Sequence, residues 1–202
     1  MSLSTDQFVE LLNGGRETRA VEFKAAGSRG DPLVFAFVAR AVLAMSNLQL
    51  GGWVLLGVQD DGQMTGLLQD DLASWLQHDE VTAGLNAYAD PFVQVDVERV
   101  DYQDRQFVAI RVHEFAEVPV LARSPTKSGG KLVIRQGACY VRPRLKPASV
   151  EVPTQTEMRE LLDAAADKML RRFLARASAA GVALGSSESD VEKYEKQLGG
   201  FR

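Results

Sequence analysis

Residues 45–67 read MSNLQLGGWVLLGVQDDGQMTGL, and this stretch decides the fold. Trp53-Val54-Leu55-Leu56-Gly57-Val58 is the chain's longest run that reads as a buried strand. An apolar run of this length, bounded by turn residues, suits a strand covered on both faces. Gly51-Gly52 precedes it, and the glycines permit a tight turn and a close backbone approach. Asp60-Asp61-Gly62 follows, a hairpin signal that returns the chain through Gln63-Met64-Thr65 to Gly66.

Upstream, Ser4-x-x-Gln7 reads as a capping box for a helix over Thr5 to Leu12, ended by Asn13-Gly14-Gly15. Residues 20–25 alternate like a strand, with Val21 and Phe23 on one face and Glu22 and Lys24 on the other. Leu33 to Asn47 is an apolar helix whose only charge is Arg40. Downstream, 70–89 reads as two helices broken near His78 and ended by Asp90-Pro91. Strands are expected over 93–100 and 106–113, joined by the turn 102–105, and over 118–122. A further hairpin is expected between 131–135 and 138–142, across Gln136-Gly137. Thr154-x-x-Glu157 opens a long helix to about Arg176, with Met158, Leu161, Leu162, Ala165, Met169 and Phe173 on one side. The expected architecture is α+β: a mixed, mostly antiparallel sheet with packed helices over 1–150, a C-terminal helix over 151–177, and a mobile tail over 178–202 with a short helix from Ser189.

The chain has 202 residues, 46% of them apolar and 25% charged, which describes an ordinary globular domain. No apolar run reaches the length of a membrane span, and the N-terminus lacks a secretory pattern. One cysteine, Cys139, excludes an internal disulfide framework and fits a reducing compartment, so the cytoplasm is expected. With only His78 and His113 beside it, a zinc site is not expected. Net charge is −4, so any attraction to nucleic acid must come from a local patch.

Two constellations carry chemistry. The first is acidic: Glu17, Glu22 and Asp60, with Lys24 sharing a strand face with Glu22. Carboxylates that hold Mg²⁺ or Mn²⁺, with a lysine beside them, suit metal-assisted phosphodiester cleavage. The same alternation also describes a solvated strand edge. The second is basic. Between Glu117 and Glu151 there is no acidic residue, while Arg123, Lys127, Lys131, Arg135, Arg142, Arg144 and Lys146 fall inside that interval. Tyr140 lies among them and offers a ring for stacking on a base, and Ser128-Gly129-Gly130 reads as a mobile loop. Such residues contact phosphates. The C-terminal helix is basic toward its end, which suits its dipole, and its apolar stripe suits docking on the domain or on a second copy of the chain.

Taken in order, these pieces resemble the Schlafen-type, Alba-like DNA-binding domain family. The matching segments are Leu11-Leu12-Asn13-Gly14-Gly15-Arg16-Glu17, Val21-Glu22-Phe23-Lys24, the helix ending Ala44-Met45-Ser46-Asn47, Gly51 to Gly62, Gly66, and Gly137-Ala138-Cys139-Tyr140-Val141-Arg142. They span about residues 8 to 145. The chain departs from the pattern by one extra residue before Gly51 and by Pro143-Arg144-Leu145 where Gly and Ser usually follow. The resemblance implies a domain that binds DNA or RNA, as in bacterial members described as transcriptional regulators. It also implies, from animal members that cleave structured RNA such as tRNA, an acidic triad falling on Glu17, Glu22 and Asp60. Those enzymes grip RNA between two lobes, so a single lobe would need a homodimer for a comparable clamp. Three readings stand at this point: a nucleic-acid-binding domain using 123–146, a Mg²⁺- or Mn²⁺-dependent ribonuclease, and a dimeric protein–protein module.

Overall fold

The fold is taken from a computed structural model, which describes residues 3–181. The capping box at Ser4 is formed: its hydroxyl accepts from the Gln7 N–H, and the Gln7 side chain accepts from the Ser4 N–H. Helix α1 (Thr5–Leu12) follows and ends at Asn13 in a left-handed conformation. Next come β1 (Val21–Lys24), α2 (Pro32–Ser46) and β2 (Gly52–Leu56). Asp31 caps α2 by accepting from Leu33 and Val34 N–H, with Pro32 at the first turn.

Strand β2 has β1 on one side, parallel, and β5 (Arg105–Val112) on the other, antiparallel. Strand β4 (Val95–Tyr102) completes the sheet in the order β1-β2-β5-β4. The β4–β5 turn uses Gln103 and Asp104, both at positive φ. Alternation along β2 splits the core. Val54 and Leu56 join α2 in the larger core with Leu43, Met45 and Ile110. Leu55 and Val58 join Phe8, Phe23 and Phe107 in a smaller core under α1. Each fully buried phenylalanine contributes about 2–3 kcal/mol of transfer free energy, so α1 is held by side chains rather than by its eight residues of helix.

The Gly51-Gly52 expectation has a direct cause. Gly51 has φ +70°, and a Cβ there would sit 2.0 Å from the Val112 carbonyl oxygen. The Asp60-Asp61-Gly62 turn forms, but its return arm is a single bridge, Val58 to Met64, rather than a strand.

Helices α3 (Gln69–Trp75) and α4 (His78–Asn86) precede the short strand β3 (Ala89–Asp90), which pairs with β6 (Leu121–Ala122). Here one expectation fails. Residues 131–135 do not pair with 138–142. Instead β8 (Lys131–Ile134) pairs with β7 (Thr126–Ser128), and β9 (Tyr140–Val141) pairs with β10 (Val150–Glu151). The turn is made at Gly129-Gly130, both at positive φ, because two glycines supply the twist that a two-residue hairpin loop requires. The segment expected as a mobile loop is therefore the tight turn of a hairpin.

Helix α5 (Gln155–Ala179) is two residues longer than the expected 177 boundary. The structure divides into two compact units, with the division inside α5 between Ala165 and Ala166. Of the expected apolar stripe, Leu161 is buried and Ala165 half-buried, whereas Met158, Leu162, Met169 and Phe173 are exposed. The helix expected from Ser189 lies outside the described residues, as does the tail from 182 onward. Among the described residues, no helix is long and apolar enough to cross a membrane.

Candidate nucleic-acid interface

Of the acidic constellation, Glu22 is buried and tied into a structural network, Glu17 and Lys24 are half-buried beside it, and Asp60 is apart from them. Glu22 is 5% exposed, which overturns its reading as a solvated edge. Its Oε1 binds Lys24 Nζ at 2.5 Å. Its Oε2 accepts from the Arg142 guanidinium and from the Ser149 hydroxyl. Lys24 Nζ also donates to the Phe23 carbonyl at 2.9 Å. Glu17 does reach in from a loop, and it accepts from the Phe23 N–H at 2.8 Å. Burial pushes the Glu17 carboxyl above its ordinary range, and the Glu22 charge adds to this. The Phe23 N–H and the nearby Lys24 and Arg142 oppose it without cancelling it.

Asp60 stands exposed in its turn. Among the described residues, no three His, Cys, Asp or Glu side chains are grouped so as to hold a metal ion. Both Glu22 oxygens are already neutralised by protein cations. The donor set therefore does not fit Mg²⁺ or Mn²⁺, which need several oxygen ligands converging on one point.

The basic interval separates into two populations. Arg142 is 1% exposed, at the end of β9, and is inside the protein rather than on its surface. Besides Glu22, it donates to the carbonyls of Thr18, Val21 and Arg19, at 2.7, 3.1 and 3.1 Å. Tyr140 is buried as well, and its hydroxyl accepts from the Arg135 N–H at 2.9 Å, so its ring is not available to a base. Both expectations fail because the chain after Gly137 turns inward. Asn47 holds it there: its amide donates to the carbonyls of Val120 and Tyr140 and accepts from the Val120 N–H, all within 2.9 Å. Arg135 forms a forked pair with Glu151, whose carboxyl is held below its ordinary range by that guanidinium. Arg144 binds Glu160, a carboxylate it shares with Arg19.

The second population is at the surface. Arg123, Lys127, Lys131 and Lys146 are exposed and have no carboxylate partner among the described residues. Lys127 and Lys131 are on the β7–β8 hairpin, Lys127 opposite Leu132 and Ser128 opposite Lys131. Val133 and Ile134 anchor its base in the core, whereas Leu132 is exposed. A methyl group added to Gly129 or Gly130 would meet no atom within 4 Å, so the tip stands clear of the domain. The result is an anchored arm with cations near its tip.

Phe92, Ser149 and Glu160 have no place in the expected site, and Asn47 enters it only as the end of a matching helix, without a role. Besides the motif that ends in Asn47, Phe92 left a weak signal, an aromatic directly after Asp90-Pro91 in a connection.

The comparisons agree with the segments quoted from the sequence. The family model for "Schlafen, AlbA_2" matches residues 17–143, and the chain belongs to this family. No curated protein matches it. Among solved structures, the DIP2311 protein from Corynebacterium diphtheriae is 23% identical, with a TM-score of 0.37 over 60% of this chain. The matched region is 22% of that protein's length. The N-terminal domain of an ATP-dependent DNA helicase RecG-related protein from Nitrosomonas europaea is 21% identical, with a TM-score of 0.41. That match covers 67% of this chain and 89% of the other.

Proposed function

We propose that this domain binds nucleic acid through phosphate contacts made by the β7–β8 hairpin and the cations around it. The observation that carries this reading is the anchored, glycine-tipped arm with Lys127 and Lys131 unpaired, in a chain whose net charge is −4. A cation held without a partner on a projecting arm costs little to desolvate against a phosphate. It also releases the counterions condensed on the strand. Arg123 and Lys146 widen the footprint. Family membership supports the same reading. Lysines position the backbone without reading bases, so weak sequence preference is expected. Charge reversal of Lys127 and Lys131 tests the proposal: affinity for nucleic acid at low salt should fall sharply, and unchanged affinity in a folded variant would overturn it.

A second surface supports self-association through the later part of α5. Met169 and Phe173, four residues apart, expose apolar area there. Sedimentation of the full chain as a dimer, converted to a monomer by Phe173→Glu, is the expected result. A monomeric wild type rules this surface out.

A further inference from the structure

Building on the nucleic-acid reading, we propose that Phe92 and Arg123 form a stacking platform for an unpaired base, so that the surface selects single-stranded over double-stranded nucleic acid. Phe92 is 68% exposed. It is nevertheless not on a loose segment. The next residue, Val93, is buried, and the Asn86 side chain grips its backbone from both sides, accepting from the Val93 N–H at 2.7 Å and donating to its carbonyl at 3.3 Å. The ring is thus held toward solvent at a fixed place.

The Arg123 guanidinium is 5.6 Å from the Phe92 ring centroid. Arg123 is itself fixed by its backbone N–H, which donates to the Tyr88 carbonyl at 2.8 Å. A planar cation beside a solvent-facing ring is what a nucleobase requires, since the base stacks on π-faces and its phosphate meets the charge.

The platform also adjoins the cationic arm. The chain leaves Arg123 along the segment before β3, with the Ser124 hydroxyl donating to the Ala87 carbonyl and the Thr126 hydroxyl donating to the Tyr88 hydroxyl. Lys127 is four residues past Arg123, so at most about 14 Å of extended chain separates them. A strand with one base on Phe92 has neighbouring phosphates in the neighbourhood of Lys127. A duplex can use the lysines but not the platform, because its base faces are hidden in the stack and only their edges reach the grooves.

The test measures binding of the full chain to labelled oligothymidylate and to a duplex of equal length, by fluorescence anisotropy at fixed low salt. Wild type is compared with Phe92→Ala, Phe92→Trp and the double variant Lys127→Glu/Lys131→Glu. The expected result is that Phe92→Ala weakens single-strand binding about tenfold and leaves duplex binding and the salt slope unchanged, while Phe92→Trp restores single-strand affinity. Phe92→Ala with unaltered single-strand affinity, or with equal losses on both ligands, overturns the platform. In either case, binding that the lysine variant has lost leaves the hairpin reading standing. A wild type that binds neither ligand overturns both.

Discussion

Arg142 reaches across 120 residues of sequence to bind the carboxylate of Glu22, and both side chains are buried. In sequence, Glu22 falls in an acidic triad suited to a metal, and Arg142 in a segregated basic interval suited to phosphate. In the fold they neutralise one another. The same guanidinium ties down the loop before β1 through the carbonyls of Thr18, Arg19 and Val21. The pair is a brace between the edge strand β1 and the chain that follows β9.

Removing one partner strands the other in a site that water does not reach. Glu22→Ala is expected to destabilise the fold by about 3–5 kcal/mol, read as a lowered urea midpoint. The double variant Glu22→Leu/Arg142→Met should lose much less than the sum of the two single changes. Additive losses would mean that the two residues do not act as a pair.

Glu17 gives a pH signature. Burial raises its folded pKa above the ordinary 4.5, so over the window between the two values the folded state binds more protons than the unfolded state. Stability from this group is therefore present below 4.5 and is lost as pH rises through the raised value. Glu17→Gln keeps an oxygen for the Phe23 N–H and removes the charge. Its thermal midpoint should exceed that of wild type at pH 7, and the advantage should vanish at acid pH. An equal loss at both pH values would contradict the assignment.

Two glycines with similar φ should respond differently to alanine. Gly51 and Gly130 have φ of +70° and +79°. At Gly130 the added methyl meets open space, so only the left-handed backbone is strained, at about 1–2 kcal/mol. At Gly51 it would collide with the Val112 carbonyl. Gly51→Ala should therefore lower the thermal midpoint well beyond Gly130→Ala. Equal shifts would show that the junction before β2 can open.

Divalent metal should not stabilise the fold. Thermal midpoints measured with and without Mg²⁺ or Mn²⁺ are expected to agree, because the Glu22 oxygens are occupied and Asp60 stands apart in its turn. A metal-dependent rise that Glu22→Ala abolishes would restore the three-carboxylate reading.

The fold was largely legible because its signals are local. The capping box at Ser4, the apolar run of β2 and the two-residue turn before Arg105 each lie within a few residues, and each forms. The hairpin of β8 was mispaired because both Gly129-Gly130 and Gln136-Gly137 are credible turns. The choice depends on Asn47, 93 residues away from Tyr140, drawing the second segment inward. The site was legible only in part for the same reason. Charge segregation showed where the cations are in the chain. Which of them are free depended on partners distant in sequence: Glu22 for Arg142, and Glu160 for Arg144. Phe92 stayed hidden because an exposed aromatic in a connection has no periodic pattern to mark it.

The most direct test of the account is the salt dependence of nucleic-acid binding by wild type and by Lys127→Glu/Lys131→Glu. Both residues are exposed on an arm whose anchors, Val133 and Ile134, are untouched, so the variant should keep the wild-type thermal midpoint. Wild type is expected to bind at low salt, and the variant to lose most of that affinity. Any residual binding should have a log–log salt slope smaller by about 2. Unchanged affinity and slope in a folded variant would contradict it.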